Sequence, residues 1–118
     1  MTYEQIRQAE ADGSLQIIEN RPKPAVDKNG SMTGAFLIPA PTLLTEDGTM
    51  KSEQEIREIF EGKGVDVSKP MAFTCGGAIM ATYGMAGAVK AQLPGEKYLY
   101  DGSWSEFNAR RAKEQEAQ

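Results

Sequence analysis

The chain has 118 residues, 40% of them hydrophobic and 25% charged, which gives a globular protein with room for one real core and not two. A net charge of −4 with no histidine excludes a broad nucleic-acid surface, which needs clustered Lys and Arg, and denies a zinc site its usual ligand set. One cysteine cannot form an internal disulfide, and with no membrane-length apolar stretch and no signal-like start at Met1-Thr2-Tyr3-Glu4-Gln5, the sequence predicts an intracellular protein without membrane insertion.

Thr2 with Gln5 opens a first helix as a capping box, in which hydroxyl and amide satisfy two orphan backbone donors reciprocally. Leu15-Gln16-Ile17-Ile18 reads as a strand, and Pro22, Pro24, Pro39 and Pro41 exclude helix across the first third. Asp27-Lys28-Asn29-Gly30 and Glu46-Asp47-Gly48 read as surface turns. Phe36-Leu37-Ile38 is a second strand. Ser52 with Glu55 begins a further helix, with Ile56, Ile59 and Phe60 on one face and Gly62 as its stop.

Met71-Ala72-Phe73-Thr74 gives a third strand. From about Gly77 to Gln92 a helix is predicted, its apolar stripe formed by Ile79, Tyr83, Ala86 and Val89 and its small residues allowing close approach to the sheet; Pro94-Gly95 ends it. Tyr98-Leu99-Tyr100 is the last strand. Ser103 with Glu106 starts a final helix that carries Trp104 and Phe107 toward the body, after which Arg110-Arg111-Ala112-Lys113 reads as a solvated face. Phe60, Phe73, Tyr100 and Trp104 are expected in the core, Met71, Met80 and Met85 in its gaps, and Asp101 at the final helix cap. Alternating strands and helices predict an α/β fold with a parallel sheet covered on both faces and ligands at the carboxyl ends of its strands.

Cys75 sits at such an end, between the run Pro70-Met71-Ala72-Phe73-Thr74 and the stretch Gly76-Gly77-Ala78-Ile79-Met80-Ala81. A strand feeding a tight loop and a helix would converge backbone N–H groups and the positive helix end on the sulfur and favour its thiolate. The alternative is a cysteine buried as a small hydrophobe.

Taken together the segments resemble the rhodanese family, most closely the cysteine-bearing second domain of mercaptopyruvate and thiosulfate sulfurtransferases. Gln16-Ile17-Ile18-Glu19-Asn20-Arg21 matches the end of a family strand that usually carries Asp-x-Arg, with Glu19 in place of the Asp. Gly30-Ser31-Met32-Thr33-Gly34-Ala35-Phe36-Leu37-Ile38-Pro39 corresponds to the Gly-His-Ile-Pro-Gly-Ala segment and its following Ile-Pro. Leu44-Thr45-Glu46-Asp47-Gly48, Lys51-Ser52, Glu55-Ile56-Arg57 and Val65-Asp66-Val67-Ser68-Lys69-Pro70 continue the match. Thr74-Cys75-Gly76-Gly77 falls on the catalytic loop, and Tyr100-Asp101-Gly102-Ser103-Trp104-Ser105-Glu106 is the most distinctive piece. The resemblance implies a single rhodanese-like domain, 1–118, in three layers with a mostly parallel sheet, lacking the family's leading strand.

It also implies a chemistry. In that family the cysteine thiolate takes sulfur from a small anionic donor as a persulfide, and a thiol or cyanide acceptor removes it. Cys75 would be the nucleophile, with Gly76, Gly77, Ala78, Ile79 and Met80 as the N–H cradle. Arg21 would orient the donor's carboxylate, or else form a salt bridge with Glu19 or Asp27. No cofactor or metal is implied, and family members occur in mitochondria and cytosol. A phosphatase of the same fold needs Arg six places after the cysteine, where this chain has Ala81. Departures are Ser31 for the histidine, Gly77 for a serine, Ala78 for a loop glycine, Met80 for Ser or Thr, and no second donor-binding arginine, with Lys23 and Lys28 the only local substitutes. These motivate an alternative, a degenerate rhodanese-like domain serving as an interaction subunit with a protein partner.

Overall fold

The computed structural model describes residues 1–118 other than 31, 33, 75–78, 101, 102, 117 and 118; for residues 29, 79, 80, 103, 105, 115 and 116 it describes the backbone alone. In chain order the elements are α1 (Tyr3–Asp12), β1 (Gln16–Glu19), α2 (Lys23–Asn29), β2 (Phe36–Leu37), a 3-10 turn (Ala40–Leu43), α3 (Glu53–Gly62), β3 (Met71–Thr74), α4 (Ile79–Lys90), β4 (Lys97–Leu99) and α5 (Ser103–Glu116). The strands form one sheet in the order β2-β1-β3-β4, and every pairing is parallel.

Strand alternation sorts the core into two layers, because successive side chains leave a strand on opposite faces. Ile18, Met71 and Phe73 enter one layer with Ile56 and Phe60 of α3 and Ala81 and Ala88 of α4. Ile17 and Ala72 enter the other with Tyr3 and Ile6 of α1 and Trp104 and Phe107 of α5. The expected α/β fold with helices on both faces is present. Phe60, Phe73 and Tyr100 are fully buried and Trp104 nearly so, as expected of the large aromatics.

Two helix starts are written as read. The Thr2 hydroxyl accepts from the Gln5 N–H at 3.1 Å while the Gln5 amide oxygen accepts from the Thr2 N–H at 2.8 Å, and Ser52 and Glu55 repeat the exchange at the start of α3. The Ser103 box rests on a side chain outside the described residues, as does the expected cap at Asp101.

Three local readings are corrected. Prolines do not keep helix out of the first third: Pro22 occupies the cap of α2 and Pro24 its first turn, where no N–H is needed, so neither breaks it. Residues 27–30, expected as a free surface turn, close that helix, and Gly30 at φ +82° donates its N–H to the Val26 carbonyl at 2.8 Å. α3 does stop at Gly62, but as its last helical residue and not as a left-handed cap; that conformation belongs to Gly64, φ +90°.

The largest correction concerns α4, which runs from Ile79 to Lys90. Its buried face is Ala81, Gly84, Gly87 and Ala88, whereas Tyr83 (49% exposed), Ala86 and Val89 (58% exposed) of the expected stripe face outward. The cause is close approach. A Cβ on Gly84 would run into the Asn20 carboxamide, and one on Gly87 would come within 3.0 Å of Leu43 Cδ1. A helix packed this tightly buries its smallest side chains and leaves its largest outside.

Candidate functional site

The carboxyl edge of the sheet gathers polar residues that a core would normally exclude. β1 ends in Glu19 and runs into Asn20 and Arg21, and all three are at least 96% buried; beside them β3 ends in Thr74, fully buried. Cys75 follows Thr74 directly in the chain, and β3 is an interior strand of the parallel sheet, where ligands gather at the strand carboxyl ends.

Asn20 holds this edge together. Its N–H donates to the Thr74 carbonyl at 2.8 Å and its carbonyl accepts from the Ala40 N–H at 3.1 Å. Its Nδ2 donates to the Ile38 carbonyl at 2.8 Å. One residue thus fixes the last residue of β3 relative to the segment leaving β2. Among the described residues, Asn20 Oδ1 and Thr74 Oγ1 are buried without a hydrogen-bond partner.

Arg21 is buried in a built cage. Its Nε donates to Glu19 Oε1 at 2.6 Å, its Nη2 donates to the Gly30 carbonyl at 2.5 Å, and its guanidinium lies 4.6 Å from the centre of the Trp104 ring. The Glu19 side chain is 1% exposed and that of Arg21 5%, so the charges leave water together and offset each other's desolvation. Of the two roles considered for Arg21, the ion pair with Glu19 is formed. Asp27 instead pairs with Lys23 at 2.8 Å on the surface.

Cys75, Gly76, Gly77 and Ala78 lie outside the described residues, and Ile79 and Met80 are described only as the backbone that opens α4. Among the described residues, the structure brings together at the carboxyl edge the end of β1 (Glu19, Asn20, Arg21), the end of β3 (Thr74) and the start of α5 (Trp104). Tyr100, at the end of β4, donates its hydroxyl to Glu106 at 2.6 Å. Burial first, then that bond, raises its pKa well above the ordinary tyrosine value.

Sequence reasoning placed Trp104 in the core but missed that it carries cations on its ring. Arg111 lies 5.2 Å from the Trp104 ring centre and 5.3 Å from that of Phe107. The signal was present as spacing, since Trp104, Phe107 and Arg111 recur at three- and four-residue intervals along one helix face. The expected solvated face holds at Arg110, whose side chain is 47% exposed although its guanidinium lies 4.4 Å from the centre of the Tyr3 ring, and gives way only at the half-buried Arg111.

No family model matches the chain. Over 110 residues it is 36% identical to 3-mercaptopyruvate sulfurtransferase of Rattus norvegicus, covering 93% of this chain and 36% of the relative. Thiosulfate sulfurtransferase of Gallus gallus is 33% identical over 90% of this chain and 39% of its own length. Among solved structures, the 3-mercaptopyruvate sulfotransferase SseA of Escherichia coli, described by its rhodanese fold, superposes with a TM-score of 0.76 at 31% identity, over 90% of this chain and 42% of that one. Tum1 of Saccharomyces cerevisiae superposes with a TM-score of 0.79 at 23% identity, over 95% of this chain and 44% of that one, a likeness of fold. The chain spans about 40% of the length of these relatives. With the parallel sheet and the order of its motifs, these likenesses place the chain in the rhodanese family.

Proposed function

We propose that the chain is a rhodanese-type sulfurtransferase that moves sulfane sulfur from a small anionic donor, thiosulfate or 3-mercaptopyruvate, to a thiol or cyanide. The observation that carries this reading is the position of Cys75, the residue after the central strand β3 and four residues before α4 begins at Ile79. A thiolate there would be favoured by the positive end of the helix and by any N–H groups of the intervening residues turned toward it.

With thiosulfate, the Cys75 thiolate attacks the outer sulfur, a sulfur–sulfur bond forms, the old one breaks, and sulfite leaves with the electron pair. The persulfide then loses its outer sulfur to cyanide as thiocyanate, or to a thiolate as a new persulfide, and the Cys75 thiolate is restored. With 3-mercaptopyruvate a carbon–sulfur bond breaks and the departing pyruvate carbanion takes up a proton. The N–H groups of Gly76, Gly77, Ala78, Ile79 and Met80 would stabilise the anionic sulfur in both steps. Arg21 enters as a donor contact through N–H groups other than those held by Glu19 and Gly30.

The burial of Arg21 in its own ion pair also favours a second reading, an interaction subunit that has lost its donor clamp. Turnover separates the two. Thiocyanate formed from thiosulfate and cyanide, and lost in Cys75→Ser, supports the enzyme; no thiocyanate from either donor supports the subunit.

A further inference from the structure

Four arginines lie on the aromatic layer formed by Tyr3, Trp104 and Phe107, and three of them are charge-paired. Arg7, 5.9 Å from the Phe107 ring centre, pairs with Glu10 and with Glu114. Arg110 pairs with Glu4 at 2.9 Å, and Arg21 with Glu19 at 2.6 Å. Arg111 differs: it is half-buried across Trp104 and Phe107, and among the described residues no carboxylate lies within ion-pair distance of it.

The position of this cation is set by Trp104. That ring opens α5 just past the end of β4, is 6% exposed, and stacks on Phe107 with centroids 5.8 Å apart and planes 22° apart. Arg111 is seven residues further on, roughly 10 Å along the helix, yet its guanidinium reaches back over the indole. The same indole carries Arg21 from the end of β1. Two guanidinium groups therefore meet one ring at the carboxyl edge, one neutralised by Glu19 and the other not. A guanidinium over aromatic rings is weakly hydrated and keeps its N–H fork for a carboxylate or sulfonate.

We propose that Arg111 binds the oxyanion group of a small substrate at the carboxyl edge and so shares with Arg21 the recognition of the anionic donor. The choice of thiosulfate as the anion rests on the sulfurtransferase reading; the cation's availability does not. No other group on this layer offers an arginine without a carboxylate partner among the described residues.

The test is titration of the Cys75→Ser chain, which cannot turn over, with thiosulfate at fixed ionic strength, read by calorimetry and by emission from Trp104, the chain's one tryptophan. Saturable binding is expected, weakened about tenfold or more in Arg111→Gln and in Arg111→Met, which keeps an apolar stem over the rings, but unchanged in Lys113→Gln. Circular dichroism establishes that each variant is folded. In the chain with Cys75 intact, Arg111→Gln is expected to raise KM for thiosulfate with little change in kcat. Equal affinity in the Arg111 variants, or no saturable binding to the Cys75→Ser chain, overturns the inference. Arg111-dependent binding in a chain that forms no thiocyanate instead overturns the sulfurtransferase reading and leaves this one standing.

Discussion

Gly84 of α4 packs directly against the Asn20 carboxamide, so closely that the glycine hydrogen occupies the only space available. The contact explains how the sheet edge and α4 are held together: Asn20 ties β1 to β3 and to the segment after β2, and Gly84 presents a Cα–H toward a carboxamide whose Oδ1 has no conventional partner among the described residues. Gly84→Ala should therefore destabilise by about 1–3 kcal/mol through overpacking, although alanine gains about 1 kcal/mol over glycine in an unobstructed helix. Gly62 is the control, since a Cβ there meets nothing within 4 Å and Gly62→Ala should stabilise. Urea denaturation of both variants decides whether the close approach is real.

The Glu19–Arg21 pair makes a second prediction. Because both side chains are almost completely buried, Glu19→Gln leaves a desolvated guanidinium without its counter-charge and should cost about 3 kcal/mol. Replacing both residues with apolar ones of similar size should recover much of that loss. A double-mutant cycle measured by urea denaturation gives the coupling directly, and additive effects would exclude the pair as a stabilising contact.

The reversed face of α4 can be tested with two substitutions one residue apart. Val89→Lys places a charge on the 58% exposed side and should change stability by less than about 0.5 kcal/mol. Ala88→Leu adds bulk to a fully buried position against the sheet and should cost about 1–3 kcal/mol. Were the faces arranged as the apolar stripe implies, the two thermal shifts would be exchanged.

Tyr100 should contribute to the loss of stability at alkaline pH. Its folded pKa is raised above the reference value of 10.0, first by burial and then by its bond to Glu106, so the folded hydroxyl keeps its proton where the unfolded one releases it. The unfolded chain then binds fewer protons, and the stability this group contributes is complete below about pH 10 and falls as pH rises beyond it. Tyr100→Phe should cost about 1 kcal/mol near neutrality through the lost hydrogen bond and flatten the decline above pH 10. An unchanged alkaline slope in chemical denaturation would show that other groups control it.

The strand positions and two capping boxes were legible because each is written locally, in apolar runs and in the spacing of a hydroxyl from Gln or Glu, and the alternation of strands with helices carried the parallel sheet. The face of α4 was not. Hydrophobicity marks Tyr83 and Val89 as core, but the distance between layers is set by Asn20 and Leu43 across the interface, which periodicity within one helix does not encode. Pro24 misled for a related reason: a proline breaks a helix only where an N–H is needed, and its place in the first turn depends on where the chain leaves β1. At the candidate site the family motifs name the cysteine and its loop, which lie outside the described residues, while the cage around Arg21 needed residues from β1, α2 and α5 to meet.

The central claim is that Cys75 carries sulfur between donor and acceptor, and intact-mass measurement after incubation with thiosulfate addresses it most directly. The account predicts a gain of one sulfur atom, mapped to Cys75, absent in Cys75→Ser and removed by cyanide. An unchanged mass with both thiosulfate and 3-mercaptopyruvate, in a chain shown to be folded, would contradict it.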